Sequence, residues 1–145
     1  MRRYISLLLF LSVGLSQKEY DIDNIIKQDG VYIKKFSDEI VNGKMFQMFG
    51  EMKVPLGEMK DGKKEGKWIG WYENGQKKEE GTYKDVKEDG LWTGWYNNGQ
   101  KELEGTFKDG KPDGLSTLWY ENGQKKQEGT ENEWTYWNED GSLKE

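Results

Sequence analysis

A tryptophan–tyrosine pair recurs every 24 residues through the middle of the chain, at Trp71-Tyr72, Trp95-Tyr96 and Trp119-Tyr120. An Asn-Gly pair follows each of them at the same distance, at Asn74-Gly75, Asn98-Gly99 and Asn122-Gly123. A unit of this length cannot bury an apolar face alone, so neighbouring units must stack on one another. The period therefore predicts a repeat protein.

Composition indicates the kind of repeat. The 145 residues include 19 glycines and no alanine, which argues against long helices and for strands joined by tight turns. Only 33% of the chain is hydrophobic, but 14% is aromatic. Since each large ring can hide roughly 150–250 Å², aromatic side chains are expected to supply most of the buried area. The predicted fold class is all-β.

The chain divides into a leader, a cap and an array. Residues 1–16 carry Arg2 and Arg3, an apolar run and a small-residue pattern at Gly14-Leu15-Ser16, which predicts a secretory signal peptide; a buried N-terminal strand is the alternative. Residues 17–40, with Asp29-Gly30 between two apolar runs, predict a cap hairpin with a primed turn. Residues 41–145 form the array, with units near 41–65, 66–89, 90–113, 114–133 and a truncated unit at 134–145.

Each of the three repeated Asn-Gly pairs predicts a hairpin. Asn-Gly between β-formers favours a two-residue type I′ loop, in which both residues have positive φ. That loop places Tyr72 opposite Lys77, Trp71 opposite Lys78, Trp68 opposite Gly81 and Gly66 opposite Tyr83. The predicted turn residues are Asn74, Gly75, Asn98, Gly99, Asn122 and Gly123.

Strand alternation then separates two faces. One face is the predicted core, in which rings lie over glycines; its residues are Trp68, Tyr72, Tyr83, Trp92, Tyr96, Phe107 and Tyr120. The other face is the predicted binding face, with Trp71, Trp95, Trp119 and Trp137 among Lys78, Glu102 and Lys126. A register shift of one residue would exchange the two faces. The tryptophans of the second face can also pack with lysine and glutamate stems for purely structural reasons.

The repeated motif resembles that of a known repeat family. The pattern Gly-x-Trp-x-x-Trp-Tyr-Glu-Asn-Gly-Gln-Lys-x-x-Glu-Gly-Thr-Tyr-Lys-Asp, from Gly66 to Asp85 and again in the next units, resembles the bacterial variant of the MORN repeat. Bacterial chains of this kind are often grouped as a YwqK-like antitoxin family of toxin-antitoxin systems. The resemblance covers roughly residues 41–145 and implies an elongated, single-layer antiparallel sheet of stacked hairpins that binds rather than catalyses.

Several functional classes are disfavoured by residue content. The chain has no His and no Cys, which removes the commonest general base, the usual zinc ligands and the thiolate nucleophile, so no catalytic, metal or cofactor residues are predicted. Paired acids such as Glu79-Glu80 are read as solvated strand and turn positions rather than as acid/base couples. An acidic chain whose only arginines lie in the leader is a poor ligand for nucleic acid, and interspersed Lys and Glu disfavour anionic lipid.

The function predicted from these observations is a non-enzymatic, exported module, periplasmic or secreted, that acts as a protein-interaction scaffold. The resemblance implies a second hypothesis, an antitoxin-like protein that neutralises a cognate toxin, although an export signal would separate it from a cytosolic toxin. A third hypothesis is polysaccharide binding by stacking of sugars on the tryptophan column, because flat rings recur there.

Overall fold

The computed structural model describes residues 17–145, and the predicted leader lies outside them. The described chain consists of β-strands and one turn of 3-10 helix, η1 (Ile22–Asn24). The strands are β1 (Glu19–Asp21), β2 (Ile25–Gln28), β3 (Val31–Lys34), β4 (Gly43–Phe49), β5 (Met52–Lys60), β6 (Lys63–Trp71), β7 (Lys77–Lys84), β8 (Lys87–Glu88), β9 (Gly90–Trp95), β10 (Lys101–Lys108), β11 (Lys111–Trp119), β12 (Lys125–Thr130) and β13 (Glu133–Tyr136).

Eleven of these strands form one open sheet. Its order is β1-β4-β5-β6-β7-β9-β10-β11-β12-β13, with β8 paired to β7, so that from β4 onwards sequence neighbours are also spatial neighbours. All pairs are antiparallel except β1 with β4, which is parallel. The predicted all-β sheet of stacked hairpins is confirmed, with this one parallel strand added at its edge.

The two sides of the sheet differ in how they use glycine. On one side, here called the glycine face, Trp68 pairs with Gly81, Trp92 with Gly105 and Gly129 with Trp134. The rings lie on bare backbone: a Cβ built on Gly57 would be 2.6 Å from the Trp68 ring, and one on Gly81 would be 2.1 Å from the Trp92 ring. Any side chain at these glycines would displace a tryptophan.

The buried core lies at the N-terminal end of the glycine face. There η1 and the β2–β3 hairpin form a second layer, and the hairpin is tied to the sheet by the Tyr32 N–H, which donates to the Gly62 carbonyl at 2.8 Å. The buried cluster consists of Tyr20, Ile25, Val41, Met45, Leu56, Met59 and Trp68. The hairpin turn at Asp29-Gly30 has φ of 50° and 83°, the primed geometry expected from the sequence.

Beyond this second layer, an aromatic row continues along the glycine face. The rings of Trp68, Tyr83, Trp92 and Phe107 meet edge to face, with successive centroid distances of 6.3, 5.2 and 6.4 Å. Trp68 is 6% exposed, whereas the next three are half-buried. The row therefore connects the capped end of the sheet to the uncapped repeats.

Hydroxyl groups join each repeat to the next. The tyrosines of the Trp-Tyr pairs donate to the carbonyl of the tryptophan one repeat further on: Tyr72 to Trp95 at 2.7 Å, Tyr96 to Trp119 at 2.7 Å and Tyr120 to Trp137 at 2.9 Å. These half-buried tyrosines therefore stabilise the stacking of repeats through their hydroxyl hydrogen bonds as well as through the packing of their rings.

The prediction of type I′ turns at Asn-Gly is wrong. Gly75, Gly99 and Gly123 have positive φ, but their preceding asparagines are not among the positive-φ residues of the described chain. The Tyr72 N–H donates to the Gln76 carbonyl and the Gly75 N–H donates to the Tyr72 carbonyl, both at 2.9 Å, which closes a three-residue loop. The primed geometry occurs instead between units, at Asp61-Gly62, Asp85-Val86 and Asp109-Gly110.

The predicted register is wrong only beside these loops. Trp68 pairs with Gly81 and Gly66 with Tyr83 as predicted, but Trp71 pairs with Lys77 rather than Lys78. The longer loop shifts the pairing by one residue, and a bulge at Lys78 restores it by Gly70 and Glu79. As a result the Lys78 Nζ lies over the Tyr72 ring, 6.0 Å from its centroid. The prediction that Lys78 lies beside Trp71 is therefore wrong.

Asparagine has a side-chain role in these loops. The Asn74 Oδ1 accepts from the Gln76 N–H at 3.0 Å, and its Nδ2 donates to the Asn97 carbonyl of the next repeat at 3.1 Å. Asn98 and Asn122 do the same with the carbonyls of Glu121 and Glu139, at 3.1 and 2.9 Å. The three asparagines therefore form a hydrogen-bonded ladder along the loop edge of the sheet.

We expect Val86→Gly to stabilise the protein. Val86 has φ of 70°, is 44% exposed and stands where Asp61-Gly62 and Asp109-Gly110 have glycine. A non-glycine residue in this region costs about 1–2 kcal/mol, and the greater entropy of unfolded glycine offsets about 0.5–1 kcal/mol, which leaves a gain of about 1 kcal/mol. The measurement is the free energy of unfolding in urea.

The matched control is Gly110→Val. A Cβ at Gly110 would meet Glu88 Oε2 at 3.5 Å and the Lys87 Cβ at 3.6 Å, which are ordinary contacts, so the substitution tests backbone strain alone. We expect it to destabilise by a similar amount. Equal stability of both variants and the parent would contradict the assignment of strain to Val86.

Candidate functional site

The second side of the sheet, here called the tryptophan face, carries Trp71, Trp95, Trp119 and Trp137, all half-buried. Three of these rings have a lysine from the preceding repeat beside them. The Nζ atoms of Lys77, Lys101 and Lys125 lie 5.9, 5.6 and 5.7 Å from the ring centroids of Trp95, Trp119 and Trp137. A cation at this distance is attracted to the ring, so each tryptophan is held by its neighbouring repeat.

The same lysines pair with glutamates. Lys77 reaches Glu80 at 2.5 Å, Lys101 reaches Glu104 at 2.6 Å and Lys125 reaches Glu128 at 2.6 Å. Hydrogen bonds from Lys67 and Lys77 lower the pKa of the Glu80 carboxyl. Because the charges cancel within each unit, the face presents no continuous basic strip to an anionic surface, and exposed pairs of this kind add little stability.

Between the rings runs a row of small and charged residues. Strand pairing aligns Ile69, Glu80, Thr93, Glu104, Thr117, Glu128 and Thr135 across seven strands. Thr93 and Thr117 are buried in this row, and the Thr117 hydroxyl donates to Glu128 at 3.0 Å. Strand alternation points Leu91 and Leu115 away from the glycine face, so they lie on the tryptophan face. They are 58% and 57% exposed. The tryptophan face thus offers exposed leucines on an ordered, charge-balanced surface.

Trp71 differs from the other three tryptophans. Its indole N–H donates to the Pro55 carbonyl of β5 at 2.6 Å. Within the described chain, β5 and β6 pair only next to their turn, where residues 58–60 face residues 63–65. The Trp71 bond therefore joins the two strands beyond their paired segment. A groove lies between β5 and β6 where the two strands do not pair.

The groove has a volume of about 490 Å³ and opens on the tryptophan face. Its apolar lining includes Phe46, Pro55, Leu56 and Ile69. Charged side chains surround it: Glu19, Lys44, Lys53, Glu58, Glu65 and Lys67. The Lys53 Nζ lies 4.2 Å from the Phe46 ring centroid and 2.5 Å from Glu19, so part of the rim is fixed.

Sequence reasoning missed this groove. The proline inside β5 was the available signal, because proline cannot donate to a sheet ladder and occurs where a strand lacks a partner on one side. The second cause is a bulge: Met45 pairs with Gly57 but Phe46 with Pro55, which leaves Leu56 as the extra residue. Such a bulge arises from strand pairing and is not visible in a drifted repeat.

In residues 17–145, no group of three or more His, Cys, Asp or Glu side chains is arranged to hold a metal ion. Nor does that range contain a helix both long and apolar enough to cross a membrane.

The glycine face carries the most perturbed ionisable groups. The Lys64 Nζ lies 4.5 Å from the Trp68 centroid and 4.9 Å from the Tyr83 centroid, and burial lowers its pKa while Glu79 and Glu88 oppose that change. Burial, with the Glu88 and Glu79 carboxylates adding to it, raises the pKa of Tyr83 to about 12. These shifts come from packing beside the capped core and not from a catalytic arrangement.

The comparison with known families agrees with this geometry. Residues 64–85, 88–109 and 112–130 each match the MORN repeat variant family. The three matches correspond to the strands and loops from β6 to β12, so this part of the chain is similar to the MORN repeat variant. Such repeats are non-catalytic modules that generally mediate protein or membrane interactions. No curated protein and no solved structure matches the chain.

We expect Tyr83→Phe to change the alkaline pH dependence of stability. The pKa of Tyr83 in the folded state, about 12, exceeds its ordinary value of 10, so the folded state holds the proton more tightly. This contribution is fully present below about pH 10 and is lost as pH rises towards 12, because the unfolded chain ionises first. Unfolding free energies at several pH values should fall less steeply in the variant than in the parent. Parallel profiles would contradict the expected ionisation of Tyr83.

Proposed function

We propose that the protein is an exported, non-enzymatic scaffold that binds a protein partner along the tryptophan face. The observation that carries the proposal is the groove between β5 and β6, because it continues into a face with two exposed leucines, Leu91 and Leu115, in successive repeats. The glycine face is occupied at its N-terminal end by the cap, which includes Ile22, Ile25 and Tyr32. The tryptophan face runs from the groove to the last repeat.

The groove suits a protein segment with an apolar anchor. Phe46, Pro55 and Ile69 can contact an apolar side chain, and lysines and glutamates at the rim can pair with either charge on its neighbours. Binding energy at protein interfaces is concentrated where an anchor enters a pocket, with charged residues at the edge setting specificity. The proposed partner therefore presents an extended segment with a large apolar residue between charged ones.

The leucines extend this surface over the repeats. Leu91 and Leu115 occupy equivalent positions in successive units, beside the buried Thr93 and Thr117. Because equivalent strands lie two apart, the two leucines are separated by about 10 Å along the sheet. A partner that spans both repeats gains two apolar contacts without a deep pocket in either.

The tryptophan column itself supports protein binding better than sugar stacking. Stacking on a sugar needs an unoccupied ring face, whereas Trp95 and Trp119 already have Lys77 and Lys101 beside them. Their carbonyls also accept hydrogen bonds from Tyr72 and Tyr96, so both residues hold the sheet together. Their proposed role is to support the surface on which the exposed leucines stand.

Export is proposed from the leader-like residues 1–16 alone. Expression of the full chain in a bacterial host, followed by fractionation and intact mass, tests it. Cleavage after Ser16 and recovery outside the cytosol are the expected result. An uncleaved cytosolic product, in a host shown to process a related leader, would contradict export and would favour a cytosolic partner.

We expect a Leu91→Glu, Leu115→Glu double variant to lose its protein partner while remaining folded. Both side chains are more than half exposed, so their replacement should change binding more than stability. The measurement is capture from envelope extract on immobilised residues 17–145, with identification of captured proteins by mass spectrometry and a binding titration with each purified candidate.

Tyr136→Glu provides the matched control, because Tyr136 is exposed and pairs with Gln127 on the glycine-face side of β13. A partner that binds the parent and this control, but not the double leucine variant, would support the proposed face. Equal binding by all three proteins would rule that face out, and loss in the Tyr136 variant alone would assign binding to the opposite side.

A further inference from the structure

We propose that the Asn-Gly loops are sites of spontaneous, ordered deamidation that begins at Asn122, and that each event removes one hydrogen bond between neighbouring repeats. The proposal rests on the loop geometry and is independent of the proposed function. Asn74, Asn98 and Asn122 are exposed, each is followed by glycine, and each bridges to the next loop through its side-chain amide.

The chemistry needs no enzyme and no cofactor. The backbone nitrogen of Gly123 attacks the Asn122 Cγ, a C–N bond forms, and the side-chain nitrogen leaves as ammonia with the proton from the glycine amide. Water then opens the resulting succinimide at either carbonyl, which leaves an aspartyl or isoaspartyl residue at position 122. Glycine favours this attack because it carries no side chain to hinder the backbone.

The folded loop opposes the reaction. The Gly123 N–H donates to the Tyr120 carbonyl at 2.9 Å, so the nucleophile is engaged. The Asn122 Oδ1 accepts from the Gln124 N–H at 2.9 Å and its Nδ2 donates to the Glu139 carbonyl at 2.9 Å, so the side chain is held at both ends. Attack therefore requires the loop to open, and the reaction rate reports the opening of each repeat.

The last repeat has a carboxylate in place of the amide. In it Asp140-Gly141 replaces Asn-Gly, and its loop keeps the same form, with the Gly141 N–H donating to the Asn138 carbonyl at 2.9 Å. Asp140 accepts from the Ser142 N–H at 2.9 Å and from the Ser142 hydroxyl at 2.6 Å, both within its own loop. A carboxylate thus suffices in the loop itself, whereas the three positions that donate to a following carbonyl are all asparagine.

Deamidation removes that donor and places a negative oxygen against a carbonyl oxygen. At Asn122 the opposing carbonyl is that of Glu139, in the final loop beyond β13, the four-residue edge strand. At Asn74 the opposing carbonyl is that of Asn97, in an interior loop with further hairpins beyond it. Within residues 17–145 the repeat of Asn122 lies at the edge of the sheet. Edge repeats open at lower free energy than interior ones, so among Asn74, Asn98 and Asn122 the first to react is Asn122.

The chain supplies its own control for this order. Asn74 and Asn122 lie in the identical heptapeptide Tyr-Glu-Asn-Gly-Gln-Lys-Lys, at residues 72–78 and 120–126. Their intrinsic reactivities are therefore equal, and a difference between them in the folded protein comes from structure. The experiment incubates residues 17–145 in mildly alkaline buffer, folded and in urea, and follows each site by peptide mass spectrometry.

In urea we expect equal rates at Asn74 and Asn122. In the folded protein we expect both sites to react more slowly, and Asn122 to react at least about tenfold faster than Asn74. A tenfold ratio corresponds to a difference in opening free energy of about 1.4 kcal/mol. Equal rates in the folded protein would overturn the proposed order. Folded rates as fast as those in urea would overturn the protection by the loop.

A pair of variants tests the consequence. Asn122→Asp, which reproduces one product, is expected to lower the melting temperature by about 2–4 °C. Asp140→Asn, the reciprocal change in the loop that donates to no following repeat, is expected to leave it unchanged. An unchanged melting temperature in the Asn122 variant, or an equal loss in both, would overturn the proposed role of the amide between repeats.

Discussion

The packing of large rings on glycine backbone is the interaction on which this structure depends. A chain that is one-third charged has few aliphatic side chains for a core, and the Trp-over-Gly arrangement compensates by bringing each ring directly onto a neighbouring strand. At Gly57 and Gly81 there is no room for a Cβ, so the glycines are required by space. The edge-to-face contacts of Trp68, Tyr83 and Trp92 then extend this packing from the capped end into the repeats.

A sheet built in this way is held together repeat by repeat. Tyr72 donates to the Trp95 carbonyl, Asn74 to the Asn97 carbonyl, and Lys77 lies beside the Trp95 ring, and all three contacts run from one unit to the next. Each is modest alone, since a typical hydrogen bond contributes about 0.5–1.5 kcal/mol. Their repetition makes stability a sum of neighbour terms, which is why the unit at the edge of the described sheet should open before the interior.

The same organisation leaves one long surface for binding. The cap occupies the glycine face where the core is deepest, and the tryptophan face runs from the β5–β6 groove across the repeats. Its charges are paired within each unit, so recognition there depends on apolar contact and local complementarity rather than on a long-range field. MORN repeats, to which this part of the chain is similar, generally act as interaction modules, and the proposed partner is defined by the segment that would fit the groove.

The sequence by itself determined the repeat, the strand content and the register away from the loops, because a period of 24 residues and strand alternation act locally; Trp68 opposite Gly81 follows from them directly. It did not determine the loop type, since Asn-Gly suits both two- and three-residue loops. Nor did it determine the links between loops, because the carbonyl that accepts from each asparagine amide, as that of Glu121 does from Asn98, belongs to the next repeat and exists only after stacking. The groove was likewise decided by tertiary structure. It results from the bulge at Leu56 and from the incomplete pairing of β5 with β6, which arise where the first repeat, whose sequence has diverged, packs against the regular second repeat.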